Sequence, residues 1–460
     1  MRHFDLVIIG TGSANSILGP EFAGKSVALI EHGTFGGTCL NVGCIPTKMF
    51  VHTADIAATP GHSSAFGVDE TLDAVHWPKI RDRIFGRIDP IAAGGRDYRI
   101  NHADNENVTV FEAHAVFSGP KTLTLSPNDG GAPEEISSET IVVAAGGRPV
   151  IPPIEGIESS GYHTSNTIMR LERLPRRLAI LGSGFIAAEF AHVFAALGVE
   201  VTLIARSSAI LRAEDETVSE RITELLGARF ALRLDARTER VARTGDEVTL
   251  HIAGQDPVVA DELLVAVGRT PNTDTLNVAA AGLETRESGH LVVDEYQRTS
   301  VPGIYALGDV SSEHELKHVA NHEERVVQHN LLHPDEPVAS DHRYVPHAVF
   351  TAPQIAAVGL TERAAREAGI DYTVAVQDYA GIAYGWAMED TTGFAKLLAD
   401  KKTGLLIGAH IIGPQAPTLI QPLIQAMSFG LPAMEMARGQ YWIHPAMPEL
   451  IENALLNLEL

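Results

Sequence analysis

The chain has 460 residues, 45% hydrophobic and 20% charged, enough for two to four domains with cores of their own. A net charge of −23 leaves no clustered positive footprint for a nucleic acid or an anionic membrane, and no apolar run reaches the roughly 18 residues of a membrane span. The N-terminus lacks a signal-like apolar segment, and two cysteines exclude both a disulfide scaffold and a four-cysteine zinc site, so a cytoplasmic protein without metal is expected.

Read in chain order, the first element is an apolar run at residues 4–9 that enters the turn Gly10-Thr11-Gly12-Ser13-Ala14-Asn15. Continuous short runs suit strands of a parallel sheet buried on both faces. Gly10 and Gly12 permit a tight strand-to-helix turn and close backbone approach to a pyrophosphate at the helix N-terminus. A second run at 27–30 ends in Glu31, placed to accept from a ribose hydroxyl. Asn15 stands where a third glycine is usual, which loosens the expected helix packing.

Both cysteines follow, in Gly36-Gly37-Thr38-Cys39-Leu40-Asn41-Val42-Gly43-Cys44-Ile45-Pro46-Thr47-Lys48. Random placement would bring two cysteines this close only ~2% of the time. No nearby histidine pair completes a zinc site, and the spacing is not that of thioredoxin-like motifs, so a redox-active dithiol is the leading reading. Pro46 suits the first turn of a helix with Cys44 at its N-terminus, where the dipole favours thiolate, and Cys39 is expected on the preceding loop.

A run at 141–145 leads through Gly146-Gly147-Arg148-Pro149 towards Pro152-Pro153, a crossover out of the first unit. A second strand–turn–helix then begins: a run at 178–181, the turn Gly182-Ser183-Gly184-Phe185-Ile186-Ala187, a helix over 186–197 and a run at 199–205. Ala187 takes the small-residue position of the turn. The last run ends in Arg206 rather than an acid, and Arg206 with Arg212 suits the 2′-phosphate of NADP better than the free hydroxyl of NAD. A run at 263–267 precedes the return through Gly268-Arg269-Thr270-Pro271-Asn272. Tyr305-Ala306-Leu307-Gly308-Asp309 puts an acid after a strand, where it can meet a flavin's ribityl chain. Two turns imply two dinucleotides, and hence electron transfer between flavin and nicotinamide. His318 and His322 follow, and either approach to the flavin or helix capping suits them. A polar segment at 333–341 precedes a different texture: residues 345–359, a helix over 361–367, then mixed strands and helices, where Trp386 is read as a packing residue.

On these residues the chain resembles the flavoprotein disulfide reductases over its whole length, with Gly36–Lys48 as the most specific signature. The resemblance implies an α/β fold of two Rossmann-like domains and a C-terminal α+β dimerisation domain. Its expected boundaries are 1–148 and 270–342 for FAD, 149–269 for NADPH and 343–460 for dimerisation. It implies that Cys44 contacts FAD, that Cys39 is the interchange thiol, that Lys48 pairs with Glu189 near the flavin, and that Phe185 is the aromatic gate that covers the flavin until nicotinamide enters. FAD contacts are carried over to Gly10, Gly12, Ser13, Glu31, Thr38, Lys48, Gly146 and Asp309. NADPH contacts go to Gly182, Gly184, Phe185, Ala187, Glu189, Arg206, Arg212 and Gly268.

Near the C-terminus, His444-Pro445-Ala446-Met447-Pro448-Glu449 resembles the family's proton-transfer dyad, with Ala446 where threonine is common. His444 would protonate a leaving thiol and Glu449 would hold its imidazole. In the family this dyad serves the other subunit, so a homodimer acting on a small disulfide is implied. No further cysteine exists for a relay, and residues 13–21 contain no arginine for peptide carboxylates. Residues 85–98, 341–351, 385–392 and 437–456 resemble the branch whose disulfide substrate is built from sugar, inositol and acetyl-cysteine. A lipoamide dehydrogenase-like NAD enzyme and a flavin-dependent quinone reductase or diaphorase are the alternatives.

Overall fold

In the computed structural model, which describes residues 1–460, each of the six continuous apolar runs contains a strand. Two units are distinguished. Met1–Thr47, Pro78–Val150 and Gly268–His342 make the first, and Lys48–Trp77, Ile151–Val267 and Arg343–Leu460 the second.

The first unit is built on an eight-stranded sheet. Its centre is parallel: Val108–Gly119, Val27–Glu31, Leu6–Ile9, Ile141–Val143 and Ile304–Ala306 lie side by side in that order. Val7, Ile8, Val27, Ala28, Leu29, Ile141, Val142 and Val143 are all inaccessible to solvent, which is why these strands read as unbroken apolar runs. Thr122–Pro127 and Glu134–Ser138 extend the sheet as an antiparallel meander, and Arg2–Phe4 closes its edge. The turn-rich pieces at the two crossovers meet, Gly147–Pro149 pairing antiparallel with Arg269–Pro271.

The helix expected after the first glycine turn is not formed. Residues Ser13–Ile17 make only a five-residue 3-10 turn, and a second short turn, Pro20–Phe22, follows. Leu18 and Gly19 are extended, and Pro20 lacks the N–H that would carry a helix onward. Side chains donate to the carbonyls at this interrupted end. Arg99 Nη2 donates to the Asn15 carbonyl at 2.6 Å and to that of Leu18 at 3.3 Å, and Gln328 Nε2 donates to that of Ile17 at 2.9 Å.

In the second unit, four parallel strands run in the order Ala231–Arg233, Glu200–Ile204, Arg177–Leu181, Glu262–Val265, beside a three-stranded antiparallel sheet. The helix Phe185–Ala196 forms as expected and buries eight of its twelve residues. Residues from His347 onward form a five-stranded antiparallel sheet, covered by the helices Gln421–Phe429, Ala433–Arg438 and Glu449–Leu456. Leu397, Ile411, Leu423, Leu450 and Ile451 are fully buried in its core. The helix expected over 361–367 is Glu362–Glu367, with Thr361 capping the Ala364 amide. The architecture is α/β, with two nucleotide-type parallel sheets and an α+β C-terminal part. No helix is long and apolar enough to cross a membrane.

Candidate active site

The two glycine turns have the same construction. Gly10 lies at φ +106° and Gly182 at φ +137°, backbone that favours glycine. A Cβ on Gly10 would strike the carbonyl oxygen of Ala144, and one on Gly182 that of Ala266, the residue just past the neighbouring strand in each case. The Gly10 amide donates to Ile30 and the Gly182 amide to Ile204, so each turn is clamped on both sides.

In the first unit, Glu31 ends its strand and accepts from the Thr11 amide at 2.9 Å, the Thr11 hydroxyl at 2.5 Å and the Gly33 amide at 2.6 Å. Gly12 leaves room for Gly37, whose Cβ would come within 2.9 Å of the Gly12 Cα. This close approach brings the segment that carries both cysteines against the first turn. Thr38 lies in that segment, within the short helix Gly37–Asn41. At the far end, Gly146 takes φ +66° and Gly268 φ +136°. Arg269 bridges the Gly147 carbonyl at 2.7 Å and the Asp309 carboxylate at 3.4 Å.

Cys39 is not on a loop. It sits in the Gly37–Asn41 turn, which Asn41 stabilises by folding its amide back onto the carbonyls of Thr34, Phe35 and Gly37. Cys44 is the first residue of the helix Cys44–Ala58, as expected, with Pro46 in its first turn. The structure holds the pair as thiols, Cys39 half-buried and Cys44 exposed, with their side chains in hydrogen-bond contact. That hydrogen bond, and then burial, push the Cys39 thiol up, while the charge of Lys317 acts in the opposite sense.

One helical turn beyond Cys44, the same helix carries Lys48. Its ammonium lies 2.6 and 2.7 Å from the two oxygens of Glu189, which is almost fully buried on the helix Phe185–Ala196. Glu189 also accepts from the Phe350 amide at 2.9 Å, and the Phe350 ring lies 4.5 Å below the Lys48 ammonium. Stacking of Phe50 on Trp77, with Phe194 beyond, packs the two helices that carry the pair.

Phe185 and Ala187 are in the first turn of the Phe185–Ala196 helix; the ring of Phe185 is exposed and Ala187 is buried, with Gly184 as N-cap. Ser183 of that turn meets Ser207, whose neighbour Arg206 is exposed. Arg212 is exposed too, and neither arginine is held in an ion pair.

His444 and Glu449 come together, Nδ1 to Oε1, at 2.6 Å. His444 is 71% exposed and Glu449 16%, so an exposed imidazole is held by a largely buried carboxylate. His322 accepts from the Asp341 amide at 3.1 Å, and His318 is exposed in the first turn of the helix Lys317–Leu332. Trp386, expected to pack, is 64% exposed and donates its indole N–H to the Ala380 carbonyl.

Sequence reasoning missed Lys317, whose ammonium donates to the Ser13 hydroxyl at 2.7 Å. It also missed Glu323, which is buried, accepts from the Gly308 amide beside Asp309 and pairs with His342 at 3.1 Å. Hydrogen bonding to Glu323 raises the His342 imidazole above the ordinary histidine value despite burial. No local pattern marks either residue.

The sequence profile of the pyridine nucleotide-disulphide oxidoreductases matches residues 4–324, and that of their dimerisation domain residues 345–455. The chain is 54% identical to the mycothione reductase of Mycobacterium tuberculosis over 465 residues, covering both chains in full. It is 34% identical to the mercuric reductase of Staphylococcus aureus, over 93% of this chain and 78% of that protein. Among solved structures, the HOCl-induced flavoprotein disulfide reductase RclA from Escherichia coli superposes with a TM-score of 0.85 at 31% identity, over 98% of this chain and 99% of that one.

Proposed function

Because the chain belongs to the pyridine nucleotide-disulphide oxidoreductase family, we propose that it reduces mycothione, the disulfide of mycothiol, with electrons from NADPH. The family's cofactors are FAD and a nicotinamide nucleotide, and its C-terminal domain makes homodimers. The observation that carries the substrate reading is identity of 54% along the entire length with mycothione reductase. The choice of NADPH over NADH rests on Arg206 and Arg212, two exposed arginines that follow the second turn where no acid competes for a ribose.

In this reading residues 1–148 and 270–342 hold FAD, residues 149–269 hold NADPH, and residues 343–460 form the subunit interface of a cytoplasmic dimer. Gly10, Gly12, Ser13, Glu31, Thr38, Gly146 and Asp309 would hold FAD, with Lys48 at its ring system. Gly182, Gly184, Ala187, Arg206, Arg212 and Gly268 would hold NADPH, with Phe185 over the nicotinamide pocket. The glycines fit that role because at Gly10 and Gly182 no Cβ has room, so backbone alone lines the turn. Bound FAD supplies the two-electron relay between nicotinamide and the Cys39–Cys44 disulfide.

Once that disulfide is reduced, the Cys39 thiolate attacks one sulfur of the substrate and forms a mixed disulfide. His444 of the partner subunit gives its proton to the departing thiol, and Glu449 stabilises the imidazolium beforehand. Cys44 then attacks Cys39, releasing the second thiol and restoring the Cys39–Cys44 bond. One substrate disulfide becomes two thiols as one dithiol becomes a disulfide. The hydrogen bond to Cys44 holds the Cys39 thiol up, and in this reading His444 of the partner subunit takes that proton before passing it to the departing thiol. Lys48 and Glu189 keep one positive and one negative charge paired beside the ring system.

Parallel assays with NADPH and mycothione, oxidised glutathione or lipoamide test this. Turnover of mycothione well above the other two is expected. Comparable turnover of glutathione disulfide, or NAD-linked turnover of lipoamide, would refute the substrate assignment.

A further inference from the structure

We propose that Lys317 binds the FAD pyrophosphate, supplying the positive charge that the truncated first helix cannot. This rests on the reading of the first glycine turn as the FAD site. In a full dinucleotide fold the turn opens an α-helix, and aligned peptide dipoles with free N–H groups at its start attract the phosphates. Here the turn opens five residues of 3-10 geometry, ended by Leu18-Gly19-Pro20, so few peptides align behind it.

A cation stands at that place. Lys317 Nζ donates to Ser13 Oγ at 2.7 Å, and Ser13 is the first residue of the short turn. The Ser13 hydroxyl in turn donates to Asn321 Oδ1 at 3.0 Å, one helical turn along from Lys317, so its orientation is set from two sides. The ammonium has three N–H groups, and Ser13 is its one protein acceptor. No carboxylate pairs with it. The other cation at the turn, Arg99, is already committed: it donates to Asn15 Oδ1, Asn105 Oδ1 and the Asn15 and Leu18 carbonyls at the opposite end. The half-buried ammonium is directed at a phosphate-type turn, and its charge also acts on the buried Glu324 carboxyl, which it lowers against the effect of burial. Its field also reaches Cys39 and favours the thiolate there.

The test follows FAD release from purified holoenzyme on dilution, by the rise of flavin fluorescence, at low and at high KCl. Lys317→Met is expected to release FAD roughly tenfold faster at low salt, an excess that shrinks as salt screens the missing charge. Lys317→Gln, which can still donate to Ser13, should behave like Lys317→Met, and Lys317→Arg should stay close to the wild type. Release from Lys317→Met within about twofold of the wild type would overturn the proposal, as would an excess that persists undiminished at high salt. Wild-type behaviour of Lys317→Gln would also overturn it, because the hydrogen bond and not the charge would then matter. A wild type that purifies without flavin would remove the FAD reading itself, and the role of Lys317 with it.

Discussion

At the scale of single residues, Gly182 shows how little room the chemistry leaves. Its φ of +137° and the Ala266 carbonyl beside it leave no position for a methyl group. Gly182→Ala should therefore weaken NADPH binding at least about tenfold while the flavin stays bound, because the matching turn in the first unit is untouched. Fluorescence quenching by NADPH measures this; unchanged affinity would show that the turn does not face the nucleotide. The cysteines, the two glycine turns and the His444–Glu449 pair were readable because each is a local pattern, with partners a few residues apart or one element away. Lys317 was not. Its contact with Ser13 joins residues 304 positions apart, and nothing around a lone lysine foretells that.

At the scale of elements, the apolar runs foretold the parallel strands because burial on both faces removes any alternation. The first helix failed to form for a reason also written locally, in Leu18-Gly19-Pro20, but the glycine turn upstream is the stronger signal and concealed it. The helix Glu216–Gly227 offers a measurable case of long-range anchoring. Its N-cap Asp215 caps the Thr217 amide and meets the buried Lys396 ammonium at 2.8 Å, 181 residues away. Burial pushes this carboxyl up, but hydrogen bonds from Lys396, the Glu362 amide and Thr217 outweigh it and hold the group at about 2. Because the folded value lies below the unfolded one, the ionised carboxylate stabilises the fold fully above about pH 4. That contribution, on the order of 2 kcal/mol, drains away as the pH falls towards the folded value. Asp215→Asn should lower the urea midpoint at neutral pH and flatten its decline between about pH 4 and pH 2. An acid limb as steep as that of the wild type would place the loss elsewhere.

At the scale of the whole molecule, the C-terminal part leaves Phe429 83%, Ile443 74% and Tyr441 103% exposed. Apolar exposure of this kind suits a surface that a second subunit covers, and the dimerisation profile spans all three positions. Replacing Phe429 and Ile443 together by Asp should give monomers by sedimentation. Those monomers should still pass electrons from NADPH to an artificial acceptor, yet fail to reduce a disulfide, since His444 would no longer reach a partner's dithiol. Monomers with full disulfide reductase activity would refute the shared site. A redox-active Cys39–Cys44 pair would be a second electron store beside the flavin, and electron counting tests that directly. Anaerobic titration with dithionite counts the electrons taken up before the flavin is fully bleached. The wild type should take two two-electron equivalents and show long-wavelength absorbance after the first, whereas Cys39→Ser should keep its flavin and bleach after one. Equal uptake by the two proteins would contradict the dithiol mechanism.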